Sequence, residues 1–318
     1  MALQILILLV SLFFVVFGAD FLVDGSAAVA RKSGISEFVI GLTIVGFGTS
    51  CPELVVSLSG ALSLNSDISA GNVLGSNIVN TLLILGLTAV LTPIAITKDN
   101  LRRDIPLTIL VTALFVFAGM SRTFLGIGED CISRIWGIIF LILFAGYMFL
   151  CFKFNTPDEV EMAGEKQMGV FKAVVLIFAG LAALVAGGHF FVESAEKLAR
   201  MIGVSDKFIA VTVLAGGTSL PELATCIVAA AKKKGALALG NILGSNVFNI
   251  LLILGISSIV HPISLEGMDL VDMGVLLLSA LLVLLSAFTF KKNKIDRADG
   301  AIFLVVEALY LTYLFVTI

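Results

Sequence analysis

Long apolar stretches separated by short charged or turn-rich segments run along the whole 318-residue chain. About 20 apolar residues in a helix cross the hydrocarbon core of a bilayer. Dividing the chain at its charged clusters gives ten stretches of suitable length, so we predict an all-α polytopic membrane protein. The predicted spans lie near 3–27, 37–62, 68–91, 104–121, 133–152, 170–196, 206–231, 236–260, 271–290 and 299–317.

The composition supports this prediction and excludes other classes of protein. Hydrophobic residues make up 59% of the chain and charged residues only 14%. Soluble domains average about 45–50% apolar and about 25% charged residues. The net charge of −3 and the lack of a basic stripe argue against a nucleic-acid partner. The first apolar stretch has neither a basic leader nor a small-residue cleavage site, so we expect it to be retained as a span.

The distribution of Lys and Arg predicts the orientation in the membrane. If the N-terminus is outside, 15 of the 20 basic residues fall on the inward side and five on the outward side. Cytoplasmic loops carry such an excess. We therefore expect both termini to be extracytoplasmic, in a plasma or inner cell membrane, with the charged segment 153–169 as a cytoplasmic linker.

The two halves of the chain repeat each other. A shift of 169 residues aligns 41–87 with 210–256, with 20 identities in 47 positions. Each half, 1–152 and 170–318, holds five predicted spans, and an odd number inverts the second half in the membrane. Inverted repeats of this kind are typical of secondary transporters. Duplication of a mere scaffold is the alternative, but the identities are concentrated in polar residues, which a scaffold does not need.

One repeated motif carries the most unusual residues, as GTSCPEL in the first half and GTSLPEL in the second. Pro52 and Pro221 each lack a backbone N–H and clash with the carbonyl four residues earlier, so they should break their helices. Such breaks are tolerated in a membrane only where they face protein or a cavity. A glutamate at mid-membrane is costly and functional by default. Glu53 and Glu222 are therefore the predicted centre of a site.

A second repeated motif, GNVLGSN and GNILGSN, adds neutral oxygen donors. Ser76 lies four residues before Asn80 and shares its helix face, as Ser245 does with Asn249. Calcium takes 6–8 oxygen ligands, and a set without His or Cys argues against zinc, copper and iron. We therefore predict a hard-cation site and no cofactor. The remaining candidate donors are Thr49, Thr218, Ser50 and Ser219.

These two motifs, each occurring twice, resemble the α-repeats of the calcium/cation antiporter superfamily, and most closely those of prokaryotic sodium/calcium exchangers. The resemblance covers essentially the whole chain. It implies ten helices in two inverted five-helix repeats, transport of Na⁺ and Ca²⁺ across the lipid bilayer, and a protein that is not an enzyme. Only a short linker joins the halves here, so the resemblance implies no large regulatory loop. We also expect the chain to function as a monomer.

The resemblance assigns roles position by position. Glu53 and Glu222 would hold calcium at the centre, with the backbone carbonyls of Thr49 and Thr218. Asn80 and Asn249 would border that central site. Sodium would occupy flanking sites built from serines, from the same threonines and glutamates, and from a carbonyl one turn earlier. The implied sodium ligands are Gly46, Thr49, Ser50, Glu53 and Ser76 in one half, and Ala215, Thr218, Ser219, Glu222 and Ser245 in the other.

The implied activity is exchange of about three sodium ions for one calcium ion by alternating access, which would be electrogenic. Potassium-dependent members carry Asp at the position of Asn249, so we expect potassium independence. A proton/calcium antiporter is an alternative because buried glutamates can titrate. Proton-coupled relatives, however, generally carry a GNxxE motif that this chain lacks. A cation channel is a further alternative.

Overall fold

The computed structural model describes residues 1–126, 129–154, 168–201 and 215–317. These parts of the chain are mostly helical, with a few strands of two residues. Most of the predicted linker 153–169 and the first part of the predicted span 206–231 lie outside the described residues.

The first half begins with one long helix and continues with shorter, interrupted ones. α1 ends at Gly34, whose φ of 68° is the left-handed conformation that glycine adopts most easily. The Ser36 side chain accepts a hydrogen bond from the Val39 N–H and so caps α2. The elements are α1 (Ala2–Ser33), α2 (Glu37–Ile40), π1 (Gly41–Val45), α3 (Gly46–Thr49), α4 (Cys51–Leu62), α5 (Ser66–Ile78), π2 (Val79–Leu85), α6 (Gly86–Leu91), β1 (Ile94–Ala95), π3 (Asn100–Asp104), α7 (Ile105–Gly119), α8 (Ser121–Leu125), β2 (Cys131–Ile132) and α9 (Arg134–Lys153).

The described part of the second half repeats this order. Three of its elements begin and end 169 residues after their counterparts: α12 matches α4, α13 matches α5 and β3 matches β1. The elements are α10 (Val170–Met201), α11 (Ala215–Gly217), α12 (Leu220–Ala231), α13 (Gly235–Val247), π4 (Phe248–Ile253), α14 (Leu254–Val260), β3 (Ile263–Ser264), α15 (Leu270–Ser286), β4 (Lys294–Ile295) and α16 (Arg297–Thr317).

Among the described residues, six helices are long and apolar enough to cross a membrane. A seventh candidate is the pair Glu37–Thr49 and Cys51–Leu62, which is bent by 47° at its break. The predicted spans 104–121 and 271–290 contain the shorter helices α7 and α15. The six long helices are Ala2–Ser33, Ser66–Leu91, Arg134–Lys153, Val170–Met201, Gly235–Val260 and Arg297–Thr317.

Burial divides these helices into an inner and an outer group. In the most apolar window of each helix, 72% of Ser66–Leu91 and 83% of Gly235–Val260 is buried inside the protein. The corresponding value is 28% for both α1 and α10. The inner helices carry the GNxxGSN motifs, whereas the outer ones expose rows of Phe, Leu and Val. Exposed apolar side chains on long helices are the surface that lipid chains solvate.

The two longest helices, α1 and α10, pack directly against each other in antiparallel orientation. A Cβ atom built on Gly18 would lie 2.8 Å from the Gly180 carbonyl oxygen, and one on Gly25 would lie 2.7 Å from the Ala173 oxygen. Residues later in α1 therefore contact residues earlier in α10, which shows that the two helices are antiparallel. Small residues at such a crossing let the two backbones approach each other closely.

The inner helix α13 packs closely against the backbone of α2 and π1 in the same way. A Cβ on Gly240 would lie 2.1 Å from the Phe38 oxygen, and one on Gly244 would lie 2.2 Å from the Leu42 oxygen. Two short ladders also join the halves, since β1 pairs with β4 and β2 with β3. Each half therefore completes its core with elements of the other.

Candidate cation-binding site

The helix break at each GTSxPE motif brings a glutamate into the core. Ser50 and Ser219 separate the helices, and their backbone angles are nearly identical, with φ/ψ of −84°/7° and −85°/6°. Pro52 lies in the first turn of α4, where its missing N–H costs nothing because that group has no partner within a helix. Glu53 follows it in the same first turn. The positive end of the helix dipole favours a carboxylate there.

The break also separates the threonine of the first motif from its glutamate. Thr49 and Glu53 do not share a continuous helical turn, because Thr49 ends α3 and Glu53 belongs to α4 beyond the break. Pro52 and Pro221 therefore begin new helices, and the interruption itself falls at the serines. The serines are thereby free to point away from their own helix.

Hydrogen bonds from these serines cross between the halves. The Ser50 Oγ donates to Glu222 Oε1 over 3.1 Å, and the Ser219 Oγ donates to Glu53 Oε1 over 3.4 Å. The Ser245 Oγ donates a second hydrogen bond to Glu222 Oε1, over 3.4 Å. Each glutamate is thus held by a serine of the opposite repeat. The two motifs form one site.

Several buried oxygen atoms at this site have no hydrogen-bond partner within the described parts of the chain. Both glutamates are fully buried, and the Oε2 atom of each has no partner among those residues. Burying a polar atom without a partner is costly, so such a cluster is unusual in a folded protein. A bound cation would supply the missing interactions. The unpartnered oxygens of residues predicted for the site are Glu53 Oε2, Glu222 Oε2, Ser76 Oγ, Asn80 Oδ1, Asn249 Oδ1 and Thr218 Oγ1.

The carbonyl of Gly46, a residue predicted as a flanking ligand, lies beside the hydroxyls of Ser245 and Thr49. The Ser245 Oγ lies 3.5 Å from the Gly46 oxygen, and the Thr49 Oγ1 lies 3.4 Å from it. The Thr49 hydroxyl also lies 3.2 Å from Asn241 Oδ1. In the other repeat Ala215 begins α11, and its side chain and the residues before it lie outside the described residues.

The inner helices widen locally into π-helical turns at the positions of Asn80 and Asn249. Asn80 lies in π2 and Asn249 in π4, immediately after α5 and α13. A π-helical turn inserts an extra residue into the helix and re-aims the side chains that follow it, often at a functional site. The predicted one-face pairs Ser76 with Asn80 and Ser245 with Asn249 therefore straddle a change of helix type.

Sequence reasoning missed a second set of asparagines that surrounds these residues. Asn77 and Asn246 contact each other's half, and the Asn72 Nδ2 donates to the Glu53 carbonyl oxygen over 3.1 Å. Asn241, the counterpart of Asn72, lies beside Cys226. All four are identical between the repeats, in the GNxxGSN motif. That identity was the signal that could have identified them.

The charge balance of the site favours a cation. Among the described residues, no Lys or Arg side chain forms an ion pair with Glu53 or Glu222. Nor do those residues contain a group of three or more His, Cys, Asp or Glu side chains placed to hold a metal ion together. The site therefore offers two carboxylates and several neutral oxygens, which suits a hard cation such as Ca²⁺ or Na⁺.

Comparison with known proteins agrees with this chemistry. The model of the sodium/calcium exchanger protein family matches residues 3–153 and 172–317. The chain belongs to the sodium/calcium exchanger family. It is a membrane protein of that family, whose members are transporters.

Full-length relatives of this exchanger-family chain include proteins of bacteria and archaea. Sodium/calcium exchanger MaX1 of Methanosarcina acetivorans is 33% identical, with 98% of each chain covered. Inner membrane protein YrbG of Escherichia coli is 36% identical over 82% of this chain and 81% of its own. The solved structure of the sodium-calcium exchanger NCX_Mj, soaked with Na⁺ and Ca²⁺, has a TM-score of 0.84 and 34% identity, covering 98% of each chain. The whole fold is therefore that of an exchanger.

Proposed function

We propose that this chain exchanges sodium for calcium through one site centred on Glu53 and Glu222. The observation that carries the proposal is a group of buried oxygens that lack hydrogen-bond partners among the described residues, together with two buried carboxylates that form no ion pair with any basic side chain of those residues. Two carboxylates carry a charge of −2, which one calcium ion balances. Family membership supports the same activity.

We assign the central position to calcium and the flanking positions to sodium. Glu53, Glu222, Thr49 and Thr218 would hold calcium, with Asn80 and Asn249 at its border. The crosswise serine bonds support sharing of ligands between ions, because Ser50 and Ser219 each touch the glutamate of the other repeat. Ions that need the same carboxylates exclude each other, and this exclusion gives exchange a physical basis. The proposed sodium ligands are Gly46, Thr49, Ser50, Glu53, Ser76, Ala215, Thr218, Ser219, Glu222 and Ser245.

We further propose ten spans in two inverted repeats, with both termini extracytoplasmic and the chain acting as a monomer. The repeat is supported by the constant sequence offset of 169 residues between α4 and α12, between α5 and α13, and between β1 and β3. The antiparallel contact of α1 with α10 is what an inverted pair of equivalent helices would make. Because these helices are mostly lipid-exposed while α5 and α13 are buried, alternating access would come from movement of α1 and α10 against the inner helices.

Calcium uptake into proteoliposomes tests the proposed function. Vesicles loaded with sodium and diluted into sodium-free buffer with labelled calcium should accumulate calcium. Glu53→Gln and Glu222→Gln should each lower uptake about 100-fold or more, because removing one charge from a buried cluster costs several kcal/mol. Glu266→Gln, at an exposed glutamate, is the control and should transport as wild type.

The same vesicles separate the competing activities. Uptake that needs a pH gradient and ignores sodium would replace our proposal with proton/calcium antiport. Calcium entry without any counter-ion gradient would indicate a channel. Wild-type uptake by both glutamine variants would refute the site.

A further inference from the structure

Four buried asparagines form paired hydrogen bonds between the halves. The Asn80 Nδ2 donates to Asn246 Oδ1 over 3.2 Å, and the Asn249 Nδ2 donates to Asn77 Oδ1 over 2.9 Å. Asn77 and Asn246 are equivalent in the repeat, as are Asn80 and Asn249. All four are at most 6% exposed. In each pair, Asn246 or Asn77 therefore accepts a hydrogen bond from a predicted site residue, Asn80 or Asn249 respectively.

The direction of these bonds is fixed by backbone carbonyls, which can only accept. The Thr81 Oγ1 donates its single proton to the Asn77 carbonyl oxygen over 3.0 Å. The same Oγ1 atom must then accept, and it does so from Asn246 Nδ2 at 2.8 Å. Asn246 consequently presents its oxygen to Asn80. The Asn77 Nδ2 is likewise committed, to the Asn246 carbonyl oxygen at 3.2 Å, so Asn77 presents its oxygen to Asn249.

The fixed direction determines which atoms remain free at the candidate site. Because their NH₂ groups donate to Asn246 and Asn77, Asn80 and Asn249 keep their Oδ1 atoms free, and both atoms are buried with no partner in the part of the chain that the structure describes. Reversing the network would exchange each of these oxygens for an NH₂ group, whose positive edge repels a cation. An asparagine amide can take either orientation unless its neighbours decide between them.

We propose that Asn77 and Asn246 are positioning residues that keep the amide oxygens of Asn80 and Asn249 available to a cation. The Thr81 hydroxyl orients the Asn246 amide, and the Asn246 backbone carbonyl orients the Asn77 amide. This inference rests on the proposed function only in that it takes the site to bind cations. The hydroxyl of Thr81 has no counterpart, because the equivalent residue is Ile250. A single side chain therefore offers a test without touching either glutamate.

Thr81→Val removes the hydroxyl with little change of shape and releases Asn246 from its acceptor. We expect the calcium concentration for half-maximal uptake to rise about fivefold, as for one buried hydrogen bond, with the maximal rate unchanged. Thr81→Ser keeps the hydroxyl and should restore the wild-type value. Thr88→Val is the matched control, because the Thr88 Oγ1 is also buried and donates to a carbonyl of its own helix, that of Ile84, at 2.6 Å.

The calcium-dependent rise in melting temperature of the detergent-solubilised protein provides a second readout. This readout reports calcium binding and does not need transport. If the wild-type protein binds calcium but does not exchange it, the proposed antiport is overturned. The effect of the amide network on calcium binding can still be measured in that case. A wild-type calcium midpoint in Thr81→Val would overturn the positioning role. Equal weakening in Thr81→Val and Thr81→Ser would also overturn it, since bulk rather than the hydroxyl would then matter. Thr81→Ala makes the same comparison if valine prevents folding.

Discussion

At the scale of single residues, the candidate site is held together by hydrogen bonds between side chains of the two repeats. Ser50 donates to Glu222 and Ser219 to Glu53, so each carboxylate is bound by a serine of the other half. The serines can reach across because they lie at the helix breaks, with side chains unneeded for local capping. Loss of one repeat would therefore disable both carboxylates rather than one.

Asn249 allows a prediction about ion selectivity. In the proposed site, calcium neutralises the two glutamates, so no additional monovalent cation is required. Uptake by the wild type should be the same in potassium and in choline buffers. Asn249→Asp adds a third negative charge that calcium leaves unbalanced, and we expect its uptake to become stimulated by potassium or by acid pH.

Measurement of initial calcium uptake in paired potassium and choline media checks this expectation. Asn72→Asp serves as the control for charge in the same motif, because the Asn72 side chain binds the Glu53 backbone and the Ser57 hydroxyl. Potassium stimulation of the wild type would contradict the assigned ion set.

At the scale of elements, close backbone contact holds the inner helices in place. α13 approaches α2 and π1 so closely that no side-chain atom fits between them at Gly240 and Gly244. The same packing sets the distance from Ser245 to the Gly46 carbonyl, since a Cβ on Gly46 would lie 3.2 Å from the Ser245 nitrogen. Helix packing thus determines the distances between the residues of the proposed flanking sodium site.

Gly240→Ala tests this role of packing. Its Cβ would lie 2.1 Å from the Phe38 carbonyl oxygen, so the two helices must separate. We expect destabilisation of about 1–3 kcal/mol, seen as a lower melting temperature in detergent, together with reduced uptake. Gly146→Ala is the matched control, because among the described residues nothing lies within 4 Å of a Cβ there. A Gly240→Ala protein as stable as Gly146→Ala would contradict the packing argument.

At the scale of the whole molecule, the halves are interlocked rather than joined side by side. The outer helices α1 and α10 pack on each other, and the short strands of one half pair with those of the other. A lysine in the turn between α12 and α13 adds a tie to the outer layer, since the Lys232 Nζ lies 2.6 Å from both Asp20 Oδ1 and Asp24 Oδ1. These acids hold the pKa of Lys232 above its usual value although burial opposes the charge.

Electrogenic exchange is a prediction about the molecule as a whole. If three sodium ions leave the vesicle as one calcium ion enters, one net positive charge moves outward. A membrane potential of 100 mV changes the free energy of moving that charge across the membrane by about 2.3 kcal/mol. An inside-positive potential, set with valinomycin and a potassium gradient, should therefore accelerate calcium uptake, and an inside-negative potential should slow it. Uptake indifferent to both potentials would indicate electroneutral exchange of two sodium ions for one calcium ion.

The sequence by itself determined the class of protein and the chemistry of the candidate site. Apolar stretches identify membrane helices because lipid leaves the backbone no other partners, and duplicated polar motifs stand out against them. The residues predicted for the site include Glu53, Glu222, Ser50, Ser219 and Ser245, and the structure joins these five by hydrogen bonds.

Only the tertiary structure decided which groups face each other. Local sequence could not show that the helix breaks fall at Ser50 and Ser219, that each serine binds the opposite glutamate, or that Asn77 and Asn246 orient other amides. These contacts join residues more than 160 positions apart. The motif supplies the donors and acceptors, but the direction of an amide depends on neighbours that only the packing of the two halves brings together.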